Sequence, residues 1–167
     1  MTVVGAGACV DDLDRRLLEL FAAEPRVGVL EASRRLGVAR GTVQARLDRL
    51  EATGVVTGWG PEVSTAALGH PVTAFLTLEI RQSPDAGGHD AVGAHLAAIA
   101  EVLEAHTITG AGDLWVRVVA RSNADLQRVI DAVLAHPAIV RSGTVIALAT
   151  QVPFRVLPLV RAAVDPA

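Results

Sequence analysis

Ala32-Ser33-Arg34-Arg35-Leu36-Gly37-Val38-Ala39-Arg40-Gly41-Thr42-Val43-Gln44-Ala45-Arg46-Leu47-Asp48-Arg49-Leu50 holds two helical patterns separated by one glycine. Val43, Leu47 and Leu50 recur at helical spacing, which predicts a helix over Arg40–Thr53 with those residues on its buried face. Gly54 follows it, in the usual C-terminal place for glycine. Ahead of Gly37, Val29–Leu36 reads as a shorter helix with Leu30 and Leu36 inward. Gly37 supplies the backbone freedom that a tight turn needs. Two helices joined by such a turn, the second carrying exposed arginines, form a helix-turn-helix.

The flanks extend this unit. Upstream, Asp11 or Asp12 can cap a first helix, because a carboxylate accepts bonds from free N–H groups and suits the positive end of the dipole. Leu13, Leu17, Leu18, Leu20 and Phe21 form its apolar stripe, and Pro25 closes it. Downstream, Val55–Trp59 reads as the first strand of a short wing. The Gly- and Pro-bearing stretch 61–71 reads as a linker, which places a DNA-binding domain at 11–60.

Charge has to be local if this unit holds DNA. The 167-residue chain carries a formal net charge of −3, which excludes a globally basic nucleic-acid coat. Its 15 basic residues are all arginine. A GC-rich coding sequence is the bland cause, but arginine also presents a planar fork suited to phosphates and guanine edges. Across Glu31–Arg49 the arginines at 34, 35, 40, 46 and 49 face only Glu31 and Asp48, so positive charge gathers on the presumed reading face. The alternative is a solvated helix face. Aromatic residues are only 3% of the chain, too few for a stacking surface for single strands.

The second part of the chain follows another pattern. Thr73–Arg81 alternates, with Ala74, Leu76, Leu78 and Ile80 on one face. A loop at Ser83–Gly88, a helix over His89–Ala100, a strand over Val102–Thr109 and a turn at Gly110–Asp113 follow. Then come a Val-rich strand over Leu114–Ala120, a helix capped by Ser122 or Asn123, and a strand over Val140–Gln151. The order βαββαβ over 72–152 is the ferredoxin-like arrangement, an antiparallel sheet with both helices on one face, and the fold class is α+β. The Pro-bearing tail 153–167 reads as an arm or frayed end. Cys9 is the single cysteine, so neither an intrachain disulfide nor a cysteine zinc site is expected. Met1–Val10 lacks the basic start of a signal peptide, and no apolar run is long enough to span a bilayer; the expected location is cytoplasmic, with no membrane partner.

Several runs together resemble one family. They are Leu13-Asp14-Arg15-Arg16-Leu17-Leu18, Ala32–Val38, Val43–Glu51, Gly54-Val55-Val56, Thr73-Ala74-Phe75 and His106–Leu114. In order and spacing they resemble the Lrp/AsnC regulators, also called leucine-responsive or feast/famine regulators, over about Asp11–Gln151. The resemblance implies a winged helix-turn-helix joined to a RAM-type sensing domain. It implies a homodimer formed through the sensing sheet, further assembly into tetramers or octamers, a palindromic double-stranded operator, and an amino-acid effector at interfaces between sensing domains. The chain departs from the pattern twice. Ala39-Arg40 replaces the usual Ser-Pro at the start of the reading helix, and Gly112 takes the aromatic place of the Gly-x-Tyr-Asp turn.

The site expectations follow. Arg40, Thr42, Gln44, Arg46 and Arg49 are the candidates for contact with DNA on the third helix. Gln44 suits adenine and Arg46 suits guanine or phosphate. Arg34 and Arg35 suit the backbone. For Arg49 the alternative is a salt bridge, and Thr42 can equally cap or pack. For the effector, the glycines Gly110 and Gly112 let backbone N–H groups approach a carboxylate, and Asp113 can hold an α-amino group, with Thr109 and Trp115 as neighbours. The alternative is a hairpin turn in which Asp113 serves geometry alone and Trp115 packs in the sheet. His70, His89, His95, His106 and His136 lack metal-ligand spacing, so neither a metal nor a cofactor is expected. Catalytic residues are not expected either. Two other readings stand beside the regulator: a sensing or assembly protein that does not bind DNA, and a tetrapyrrole decarboxylase of the same architecture.

Overall fold

The computed structural model describes residues 9–81 and 88–164, so most of the Ser83–Gly88 loop and all but the end of Met1–Val10 lie outside the described residues. The chain divides into two compact units, Met1–Glu62 with Val152–Ala167, and Val63–Gln151.

The first unit starts with α1 (Asp12–Ala23), α2 (Val29–Leu36) and α3 (Arg40–Ala52). Asp11 caps α1 through a reciprocal box: its carboxylate accepts from the Asp14 N–H at 2.9 Å, and Asp14 accepts from the Asp11 N–H at 3.0 Å. Gly37 ends α2 in the left-handed region at φ 69°, where a side chain would be strained. Leu17, Ala32, Val43, Leu47 and Leu50 form the core, with Leu36, Val55 and Val56 against it. Two expectations fail here. Leu30 is half exposed rather than inward, because Ala32 and Ser33 take the buried side of α2. Val55–Trp59 is not a strand: Val55 and Val56 pack on the helical core, and the stretch has no ladder partner among the described residues. The stretch read as an arm carries a helix, α6 (Leu157–Val164), which lies against α1 and pairs Arg161 with Glu19.

The second unit orders as β1 (Val72–Ile80), α4 (Gly88–Ala97), β2 (Val102–Thr107), β3 (Leu114–Ala120), α5 (Asn123–Leu134) and β4 (Ile139–Ile146). The sheet order is β2-β3-β1-β4, with every neighbouring pair antiparallel. This is the ferredoxin-like topology. Alternation decides its faces: Ala74, Leu76, Leu78, Val116 and Val118 point at Val92, Leu96, Leu126, Val129 and Val133 of the two helices. Ser122 caps α5 by accepting from the Asp125 N–H. Both β2 and β4 end before their expected limits of Thr109 and Gln151.

Candidate nucleic-acid interface and effector cleft

α3 presents two different surfaces. Val43, Leu47 and Leu50 anchor it to the core, which leaves Arg40, Gly41, Gln44, Ala45 and Asp48 exposed as one stripe. Arg46 and Arg49 lie between these surfaces, and both turn back toward α1. Arg46 donates to Asp11, and to Asp14 at 3.1 Å; Arg49 donates to Asp14 and to the Cys9 carbonyl at 3.2 Å. The Asp14 side chain has no exposed area, and its two oxygens meet these two guanidiniums. The Arg46 guanidinium, with the Asp14 N–H, holds the Asp11 carboxyl below the usual carboxylate range. Asp11, in turn, raises the pKa of Arg46.

The remaining candidates divide by partner. Arg35 is paired to Glu24 at 2.6 Å and to Glu31 at 2.9 Å. Arg34 keeps a loose 3.8 Å contact with Glu31 and is mostly exposed. Arg40 has no ion pair among the described residues. Gln44 donates its side-chain nitrogen to Asp48 at 2.8 Å. Thr42 is half-buried, and its backbone N–H bonds the Ala39 carbonyl at 3.0 Å. Ala39 provides no side-chain cap, so the first turn of α3 keeps free N–H groups beside Arg40. Much of the positive charge gathered by sequence is therefore already neutralised within the unit. Asp11 and Asp14 were missed as parts of this face. The available signal was an Asp one residue from Leu13 in an apolar helical stripe. A groove of about 750 Å³ runs between Cys9 and Asp11 on one side and Gly41, Thr42, Ala45, Arg46 and Arg49 on the other.

In the second unit the Gly110–Asp113 turn is pinned to the end of β1. The Asp113 N–H donates to the Leu78 carbonyl at 2.8 Å, and one Asp113 carboxylate oxygen accepts from the Ile80 N–H at 2.7 Å. Gly110 has φ 113°. A Cβ at Gly112 would collide with Thr77 Cγ2 and lie 3.2 Å from the Leu78 carbonyl oxygen. Thr109 is exposed on the approach to the turn. Beside the turn, Thr77, Glu79, Ala111, Arg141, Ser142 and Gly143 line a cleft of about 350 Å³. Glu79 and Arg141 face each other across β1 and β4 at 3.7 Å. Neither was singled out by sequence, because their proximity depends on strand register. Trp115 lies on the sheet face away from the helices, stacked on Phe75 at 4.9 Å with His106 beside it. Of the histidines, His95 reaches the Ala132 and Val133 carbonyls at the end of α5, and the His136 ring lies 5.3 Å from it.

Comparison with known proteins places both units. Residues 73–157 match the family model described as Lrp/AsnC ligand binding domain, and residues 10–57 match a winged helix-turn-helix DNA-binding model. The regulatory protein AsnC of Escherichia coli is 31% identical over 121 residues, which cover 72% of this chain and 78% of that protein. The solved structure of E. coli AsnC aligns at a TM-score of 0.80 with 28% identity, covering 90% of this chain and all of the other. A feast or famine regulatory protein from M. tuberculosis, complexed with L-methionine, aligns at a TM-score of 0.74 with 29% identity, covering 87% and 96% of the two chains.

Proposed function

The chain belongs to the Lrp/AsnC family of transcription regulators, and from that premise we propose that it reads a palindromic operator as a symmetric oligomer gated by an amino acid. The observation that carries this reading is the pairing of an exposed stripe on α3 with a polar cleft beside a glycine turn in the second unit. The reading helix contacts bases with Gln44 and a phosphate with Arg40, and Arg34 on α2 adds a second phosphate contact. Arg46 and Arg49 hold the helix to α1, and any DNA contact they make is through groups already shared with Asp11 and Asp14. Arg35 and Thr42 contribute at the edge of the same face.

The effector is an α-amino acid. Arg141 meets its carboxylate, Glu79 its ammonium, and the backbone of Gly110 and Gly112 with Thr109 closes one side. Asp113 shapes the turn through the Ile80 N–H. The methionine complex of the mycobacterial relative supports this ligand class. The small wall residues Thr77, Ala111 and Gly143 leave room for a side chain. Binding across copies is supported by the open sheet face of Phe75, Trp115 and His106, with Val145 67% exposed on β4. We assign Trp115 to that sheet contact more than to the effector. We assign no catalytic role. The location proposed is the cytoplasm, and no helix among the described residues is long and apolar enough to cross a membrane. The proposed domain limits are 11–60 for reading, 61–71 as linker, 72–152 for sensing, and 153–167 as a tail returning to the first unit.

The effector half is tested by melting the full chain against each of the twenty amino acids. At least one should raise Tm, and Arg141→Ala and Glu79→Ala should each remove that rise. A rise from no amino acid contradicts the effector class, and a rise unchanged in both variants contradicts the cleft.

A further inference from the structure

We propose that Asp48 sets the base preference of the reading helix by fixing the amide of Gln44, so that the chain selects adenine where Gln44 meets the major groove. The inference rests on the DNA-reading role of α3.

The exposed stripe of α3 is chemically sparse. Gly41 and Ala45 carry no polar side chain, and Arg40 stands at the helix start. Arg46 and Arg49 are drawn away by Asp11 and Asp14. Base discrimination along the middle of the helix therefore falls to Gln44 and Asp48, one turn apart and joined by the 2.8 Å bond. A carboxylate has acceptors only, so the amide nitrogen of Gln44 must face Asp48 and its carbonyl oxygen must face away. One amide N–H and the carbonyl remain free, held in one orientation. That pair matches the N7 acceptor and N6 donor on the major-groove edge of adenine. Guanine offers two acceptors there, and its O6 would meet the amide oxygen. A free glutamine can rotate to accommodate either base; a tethered one cannot. The small side chains of Gly41 and Ala45 let the helix approach the base edges closely.

Asp48 has a second effect of the same sign. It places a negative charge on the surface turned to a polyanion, which weakens binding to phosphates at every sequence. The ratio of specific to non-specific binding rises, although overall affinity falls. Asp48 is a positioning residue in this scheme, and Gln44 makes the base contact.

The test is selection of bound duplexes from a random library at one salt concentration, using the full chain and its Gln44→Ala, Asp48→Ala and Asp48→Asn variants. The wild type should enrich adenine at one position in each half-site. Gln44→Ala and Asp48→Ala should each relax that position by about tenfold and leave other positions in place. Asp48→Ala should also bind unrelated DNA more tightly. Asp48→Asn loses the charge and gains a donor that can hold the Gln44 amide in either orientation, so it should relax the adenine preference while binding unrelated DNA more tightly. Full adenine discrimination in Asp48→Ala, or a wild-type preference for another base at that position, overturns the inference alone. A library that yields no enriched site overturns the regulator reading and this inference together.

Discussion

Asp14 is the third residue of α1 and completes its capping box, and its burial governs what the reading helix can do. The side chain is fully enclosed, accepts from the Asp11 N–H, and meets both Arg46 and Arg49. Its loss removes a shared partner from both guanidiniums, leaving Arg46 with Asp11 and Arg49 with the Cys9 carbonyl. Asp14→Ala is expected to destabilise the first unit by about 2 kcal/mol, read from denaturant unfolding. Arg46→Ala is expected to lose stability and DNA affinity together. Arg40→Ala should leave stability unchanged, weaken binding at all sequences alike, and lower the slope of log affinity against log salt by about one. Arg46 looked like a base reader in the sequence because charge and helical phase were visible and its partners were not. The partners lie 35 and 32 residues upstream. Gly112 shows the same limit: sequence marked it as a departure from an aromatic place, but only the structure shows Thr77 Cγ2 in that space. Gly112→Ala should therefore cost about 1–3 kcal/mol by overpacking, and a Thr77→Ser change in the same chain should recover part of the loss. Equal destabilisation with and without Thr77→Ser would show that Thr77 is not the obstruction.

At the level of elements, helix starts and glycine stops were legible because caps and periodicity are local. α1, α2, α3 and α5 begin within a residue or two of the expected places, with Asp11 and Ser122 as caps. The expected wing strand did not form, and α6 was not legible. A strand needs a ladder partner, and Val55 and Val56 instead found the helical core. α6 is short and carries Pro158 near its start, so its stability comes from tertiary contact: Arg161 pairs with Glu19 of α1, and Leu157, Val160 and Val164 are half-buried. Val160→Asp should lower the stability of the first unit by about 1 kcal/mol. The α1 cap also carries a pH dependence. The Asp11 carboxyl is held below its ordinary value, so its charged form is favoured in the folded state. Its stabilisation is complete above the unfolded carboxylate pKa of about 4 and disappears as pH falls through the lower folded value. Asp11→Ala should flatten the acid side of the stability–pH curve below about pH 4, measured by unfolding at a series of pH values.

For the whole molecule, the two units make different demands on partners. Ion pairs within the first unit absorb much of its arginine charge, so electrostatics alone supplies modest DNA affinity. A second copy on a paired half-site would supply the rest. The sheet face with Phe75 stacked on Trp115 is the surface suited to that copy. The two-unit plan was readable because each unit has its own period, 3.6 in the first and 2 along β1 of the second. The cleft at Glu79 and Arg141 was not, since it exists only once β1 and β4 are in register. The most direct measurement of the central claim is selection of genomic fragments by the full chain at low salt, repeated with each amino acid. Enrichment of a palindromic site, altered in occupancy by at least one amino acid, is the predicted result. Recovery of fragments sharing no palindromic site would contradict it.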